Sequence, residues 1–302
     1  GTVATAVEPV AVPRLSVRRR VSAYLFRSRR TRLAALLTPP MLWLVLIYFA
    51  AVFSLLATAL FSLDPFTSAV VRNLTLANFQ AVFTEPAYWR ATAQTVTVAA
   101  SVTVLCIALG LPMAFYMAKV ARRRSRGFLI ALVITPLWAS YLVKVYAWQA
   151  MVQPDNGVIA WLGKPFGLQG PGFGMVAVIL TLTYLWLPYM ILPIYAGLER
   201  MPDSLLEASG DLGGRPWRTF RSVVVPLIYP SIIAGTIFTF SLSLGDYITA
   251  QIVGGKFQML GNIVYQNYAA NLPFAAAIAT IPVIIMVIYL ALVRRTGALD
   301  NL

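Results

Sequence analysis

Two ionisable side chains sit inside long apolar runs of this 302-residue chain: Lys144 within Phe128–Val152, and Asp246 within Ile228–Val253. A charge at the centre of a bilayer costs at least about 2.5–3.5 kcal/mol, so each must face protein or a water-filled path. Two arrangements meet that demand. Lys144 and Asp246 pair as a structural bridge, or Asp246 lies on the path of a cationic substrate while Lys144 pairs elsewhere or snorkels to the membrane interface. Gly245 and Tyr247 flank the carboxylate, and an aromatic face beside an anion suits an amine or ammonium ligand, with plain packing the alternative for Tyr247. Other chemistries find no residues. The chain has no His, which removes imidazole metal sites and Ser-His-Asp triads, and its single Cys, Cys106, cannot form an intrachain disulfide. No Gly-x4-Gly-Lys-Ser/Thr run occurs; the nearest Gly-Lys, Gly254-Gly255-Lys256, is followed by Phe257, so ATP and its Mg are expected on another chain and no cofactor on this one.

A second group of residues stands in a long polar segment, Glu199–Pro230. Pro202-Asp203-Ser204 reads as a helix start, with acids where the macrodipole favours them. Leu205, Leu206, Ala208 and Leu212 follow at near-helical spacing, and Gly213-Gly214 is expected to stop the helix ahead of Arg215. Such a short amphipathic helix has apolar area to bury. Small Ala208 and Ser209 permit close approach, Gly213 suits a turn, and Glu207 can cap or pair with a base. An interfacial helix lying on lipid is the competing reading, but those helices carry cationic polar faces whereas this one is acidic.

The elements that position these residues follow from composition. Hydrophobic residues make up 59% and charged residues 11%, against about 25% charged in soluble domains, so lipid is the main solvent. Apolar stretches at Leu36–Leu63, Ala91–Ala118, Phe128–Val152, Gly174–Gly197, Ile228–Val253 and Leu272–Val293 predict six spans, each long enough for a hydrocarbon core of about 30 Å. The fold expected is all-α and polytopic, a permease domain over residues 34–302 behind a basic arm over 1–33. Arg14, Arg18–Arg20, Arg27, Arg29, Arg30 and Arg32 precede the first span. Lys119 and Arg122–Arg126 follow the second, Arg200–Arg221 the fourth, and Arg294-Arg295 the sixth. Basic residues in every second loop place both termini in the cytoplasm by the positive-inside rule. A nucleic-acid footprint would cluster them on one module, so no nucleic-acid partner is expected; anionic lipid headgroups suit the arm, whose Thr2–Pro13 stretch reads as disordered.

Glu207-Ala208-Ser209, Gly213 four positions on, then Val223, Val225 and Pro226 resemble the EAA signature of ABC-importer permeases, EAA-x3-G-x9-I-x-L-P. The spacing matches throughout; Ser replaces the third Ala, and Val replaces both Ile and Leu. Beyond the loop, LTLANFQAVF at Leu74–Phe83, PLWASYLVKVYAW at Pro136–Trp148 and SLGDYITAQIVGG at Ser243–Gly255 are similar to the first permease of spermidine/putrescine importers. The resemblance implies a type I ABC-importer permease of the bacterial inner membrane, a transport subunit and not an enzyme. It also implies that the EAA helix docks on a separate ATPase present in two copies, beside a second homologous permease and an extracytoplasmic substrate-binding protein. Importers of ferric iron, sulfate, thiosulfate or phosphonates share much of this architecture. A secondary transporter would not need the loop, and an intramembrane enzyme would need a second acid near Asp246.

Overall fold

The computed structural model describes residues 16–297, so Arg14 and the Thr2–Pro13 stretch lie outside the described residues. The chain divides into two units, Gly1–Ser54 and Leu55–Leu302. In the first, α1 (Val17–Arg27) is followed by α2 (Arg29–Ala59), which runs on into the second unit. Ser28 starts α2, its Oγ accepting the Thr31 N–H at 3.0 Å, and the Arg32 guanidinium lies 4.7 Å over the Phe26 ring. At 31 residues, α2 extends about 46 Å and can cross a bilayer with length to spare.

The second unit opens with a two-stranded antiparallel hairpin, β1 (Ser62–Leu63) and β2 (Val70–Val71), Ser62 facing Val71. Asp64 holds its turn by accepting the Phe66 N–H at 2.8 Å, and the bonds from Phe66 and Thr67 hold its carboxyl below the usual carboxylate range. Helices α3 (Ala77–Thr84), α4 (Pro86–Phe115), α5 (Arg123–Trp138), α6 (Tyr141–Met151), α7 (Val158–Gly163), α8 (Met175–Arg200) and α9 (Asp203–Asp211) follow. Then come α10 (Pro216–Thr219), α11 (Val225–Leu244), α12 (Ile248–Val253), α13 (Leu260–Tyr268) and α14 (Leu272–Arg295).

The core is where α4, α8 and α11 pack on one another, around Val102, Cys106, Leu182, Met190, Ile194 and Ile228. Lipid tails are as apolar as Leu, so these helices are held by close packing, which small residues allow. Gly110 on α4 faces the Met190 and Ile191 side chains, Gly235 on α11 faces the Met190 sulfur, and Gly197 on α8 faces Ser231 of α11. Polar side chains in the core, among them Thr95, Thr103 and Thr181, satisfy themselves by donating to the carbonyl one turn back.

Among the described residues, five helical segments are long and apolar enough to cross a membrane, and α5 with α6 makes a sixth only as a pair bent by 92°. The uninterrupted third span expected over Phe128–Val152 is thus corrected: Ala139 and Ser140 are extended. Pro136 withholds the N–H that would bond Leu132 and weakens the last turn of α5 before the break. The fifth span expected over Ile228–Val253 is corrected likewise, since α11 ends at Leu244 and α12 begins at Ile248. Here an Asp side chain competes with the helix for backbone N–H groups.

A Cβ on Gly197 would lie 2.1 Å from Ser231 Oγ and 2.8 Å from Ser231 Cβ, so Gly197→Val must push α8 and α11 apart. Overpacking of this kind costs about 1–3 kcal/mol. The variant is expected to melt at a lower temperature than the parent in detergent-solubilised complex, and an unchanged Tm would refute the close α8–α11 contact.

Candidate functional site

The polar loop folds as α9, a glycine turn, the short α10 and a widened π turn over Phe220–Val224 that leads into α11. Gly213 adopts φ +81°. Its N–H bonds the Gly210 carbonyl at 2.9 Å and the Gly214 N–H bonds the Ser209 carbonyl at 2.9 Å, the two bonds of a Schellman motif that only a left-handed residue allows. Pro226 enters α11 just after the π turn, where its ring would press on the Ser222 carbonyl in a regular helix; the wider turn, with the Val225 N–H reaching Phe220, relieves that clash.

Both ends of α9 are tied down. The Lys119 ammonium, its side chain 6% exposed, donates to Asp203 at 2.7 Å and to the Met201 carbonyl at 2.8 Å. That hydrogen bond, reinforced by the Lys119 charge, holds the Asp203 carboxyl below the usual range. Arg126 reaches Glu199 at 3.4 Å, and the Tyr195 hydroxyl donates to the same Glu199 oxygen at 2.8 Å. At the other end, Ser209 Oγ lies 2.7 Å from Thr219 Oγ1, and a Cβ on Gly214 would come within 2.6 Å of that Ser209 oxygen. Ser in place of the signature's third Ala therefore makes a bond of its own, paired with a hydroxyl ten residues on.

Leu206 and Phe220 pack inward on the core, Phe220 meeting the α4 residue Phe115 edge-on at 5.7 Å. Glu207, Ala208 and Arg215 face outward, alongside Leu212 at 90% and Trp217 at 71% exposure. Trp217 stacks on Phe220 at 6.0 Å, so a continuous aromatic column joins the loop surface to α4. Trp217, Thr219 and Phe220 belong to none of the patterns legible in the sequence; a Trp within a polar loop is the one local sign of them. Pro226 lines a surface cavity of about 450 Å³ with Arg200, Leu205 and Ser231.

The break between α11 and α12 gathers the intramembrane residues. Asp246 is 9% exposed; its Oδ1 accepts the Thr249 N–H at 3.0 Å, capping α12, and its Oδ2 accepts the Tyr141 hydroxyl. Tyr141 Oη also lies 2.9 Å from Thr249 Oγ1, and its ring stacks on Trp186. Asn262 donates to the Tyr247 carbonyl at 2.9 Å and accepts the Met259 N–H, while Thr95 accepts the Leu260 N–H at 2.9 Å. Lys144 is not joined to Asp246 and makes no ion pair among the described residues. It lies on α6 opposite the row Leu142, Tyr146 and Gln149, which shares a cavity of about 460 Å³ with Tyr247, Gln251 and Tyr265. Tyr247 and Tyr265 stack at 5.3 Å in its wall. Gln149 and Gln251, amides in apolar runs, are the signal that could have located this cavity from sequence.

Residues 106–297 match the family described as the binding-protein-dependent transport system inner membrane component. The inner membrane ABC transporter permease protein YdcU of Escherichia coli (strain K12) is 42% identical, aligned over 94% of this chain and 95% of its own length. The spermidine/putrescine transport system permease protein PotB of the same strain is 30% identical, over 86% of this chain and 95% of its own. In fold, the chain resembles a subunit of a bacterial ABC transporter involved in the import of the acidic polysaccharide alginate, with a TM-score of 0.67 and 15% identity over 91% of this chain and 99% of that one. With a docked amphipathic loop between its fourth and fifth spans and these relatives along nearly its whole length, the chain belongs to the binding-protein-dependent transport system inner membrane components and is a permease subunit of an ABC importer.

Proposed function

We propose that the chain forms half of an import pathway for polyamines such as spermidine and putrescine, with α9 as the helix that couples it to a separate ATPase. In this reading two copies of that ATPase carry ATP and Mg, a second homologous permease supplies the other half of the path, and a binding protein delivers substrate from outside. The reading follows the family's dependence on a binding protein. Residues 1–33 form a cytoplasmic arm, and both termini and α9 lie on the cytoplasmic side.

The observation that carries the substrate class is the cavity between α6, α12 and α13. Its lining has tyrosine faces and amides and no Lys or Arg. An ammonium gains from the faces of Tyr146, Tyr247 and Tyr265, and from amide oxygens of Gln149 and Gln251. A sulfate or phosphonate would find no cation there. The 30% identity with a spermidine/putrescine permease supports the same class. Asp246 acts behind this wall: by capping α12 and holding Tyr141 it fixes the backbone that presents Tyr247.

Coupling is tested by Glu207→Lys and Gly213→Asp. Both variants are expected to insert in the membrane and lose substrate-stimulated ATP hydrolysis by the assembled importer; normal stimulation in both would sink the role of α9. Orientation is tested separately, after Cys106 is replaced. Cysteines at Ser125 and Ser204 should react only from the cytoplasm and those at Thr84 and Gln258 only from outside, and outside labelling of Ser204 would reverse the topology.

For the path, Tyr247→Leu removes a face worth about 0.5–2 kcal/mol to a cation, so spermidine uptake should need about two- to thirtyfold more substrate. Asp246→Asn keeps an acceptor for the Thr249 N–H and should assemble with lowered uptake, while Lys144→Met should transport near the parent rate. Uptake untouched by Tyr247→Leu, or collapse with Lys144→Met, would overturn the assignment of this cavity.

A further inference from the structure

Lys119 has given up water where its basic neighbours have not. Its side chain is 6% exposed, against 27% for Arg126, and Arg122, Arg123 and Arg124 are exposed. An ammonium leaves water only where other groups replace its hydration. Here they are the Met201 carbonyl at 2.8 Å and the Asp203 carboxylate at 2.7 Å, the residues on either side of Pro202 where α9 starts. A helix of the bundle core thus holds the loop helix by its first turn.

The backbone that carries Lys119 is itself irregular. Past Phe115, α4 continues as a widened π turn over Tyr116–Val120, closed by the Ala121 N–H on the Tyr116 carbonyl at 2.8 Å. Turns of this kind are rare and recur at functional sites. Pro226 accounts for the π turn ahead of α11, but no proline lies between residues 113 and 135, so local sequence does not demand this one. A regular turn would hold one residue fewer and rotate Lys119 about the helix axis by up to about 100°. The widened turn instead aims the lysine at α9, with Met117 and Ala118 buried beside it. The two π turns hold α9 from both ends. The first carries Lys119, and the second begins one residue after Thr219, whose hydroxyl meets Ser209. Phe115 just before the first turn and Phe220 at the head of the second touch edge-on. Helix α9 is therefore fastened to α4 and to α11 separately.

We propose that Lys119 is a positioning residue for coupling: by fixing the start of α9 to α4, it makes a displacement of α9 move α4 together with α11. Without it, α9 stays joined to α11 through Thr219 and pivots about that end. The Asp203 partner is exposed, so the pair adds little stability, and what it supplies is position. This inference rests on the reading of α9 as the coupling helix and goes beyond it in naming the residue, and the second helix, through which that coupling runs.

The test uses the assembled importer with its binding protein in proteoliposomes. Lys119→Met keeps the length and apolar stem of the side chain and removes both bonds, while Asp203→Asn keeps an acceptor for the ammonium. Lys119→Met should assemble, melt near the parent temperature and consume at least about fivefold more ATP per spermidine imported, the lower end of couplings between sites. Asp203→Asn, which trades a charge-assisted bond for a neutral one, should change that ratio by less than about twofold. The double variant should match Lys119→Met, because both changes act through one contact. Amide hydrogen exchange reads the same tie without substrate: in Lys119→Met it should quicken over the first turn of α9 and keep the parent rate over residues 209–214. Unchanged exchange at the start of α9, exchange quickened throughout the bundle, or a parental ratio of ATP to spermidine would each overturn the proposal. The reading of α9 would survive all three results, since it falls only if Glu207→Lys and Gly213→Asp show normal stimulation.

Discussion

Lipid offers no hydrogen bonds, so a helix interrupted inside a membrane must find partners for every freed N–H and C=O within the protein. That constraint organises the functional half of this permease. The interruption after Leu244 persists because Asp246 takes the Thr249 N–H, Asn262 takes the Met259 N–H and bonds the Tyr247 carbonyl, and Thr95 takes the Leu260 N–H. Four backbone groups are thereby satisfied by three side chains from three different segments. The Tyr141 hydroxyl then ties the second broken span to the first through the same carboxylate, and Gln149 adds a bond to the Ile252 carbonyl at 3.2 Å. What looks in sequence like an isolated charge is the node at which two broken spans meet.

The opposite constraint acts at the basic end, where water is available and exposed ion pairs contribute little. Here the tie to α9 is the Lys119 ammonium, almost wholly covered, satisfying a carbonyl and a carboxylate at once. Its partner Asp203 is exposed, so the bond matters for the position of α9 more than for the stability of the bundle. The loop is thus docked by geometry: a Schellman turn, a hydroxyl pair, a covered lysine and an aromatic column, each fixing one end or face of a nine-residue helix.

Much of this was legible in the residues. Span number, the acidic amphipathic helix and its glycine stop follow from hydropathy, spacing and turn chemistry, because each depends on neighbours close in sequence. The two breaks were not, since Phe128–Val152 and Ile228–Val253 are apolar enough to read as unbroken helices; Pro136 alone does not end a membrane helix, and Gly245-Asp246 does so only because Tyr141, about a hundred residues earlier, completes the carboxylate's bonding. Ser209 gave the same difficulty on a smaller scale. As a substitution for Ala it reads as merely small, and only Thr219 facing it reveals the hydroxyl pair. Partners distant in sequence are what hydropathy and local spacing do not encode.

The docked loop and the broken span are two ends of one element. Between the π turn at Phe220–Val224 and the break at Gly245, α11 runs for 20 residues, about 30 Å, the thickness of the hydrocarbon core. Its single internal proline, Pro230, is buttressed by the close Gly197–Ser231 approach of α8. Irregular backbone, which deforms at lower energy than a regular helix, lies only at the two ends. In the proposed coupling, a displacement imposed on α9 would pass through Thr219 and Phe220 into α11, whose far end carries Asp246 and, beside it, Tyr247. The α4 route runs in parallel from Trp217 through Phe220 to Phe115. Loop and break are thus joined along two packed helices, the geometry that the proposed coupling of α9 to the cavity would use.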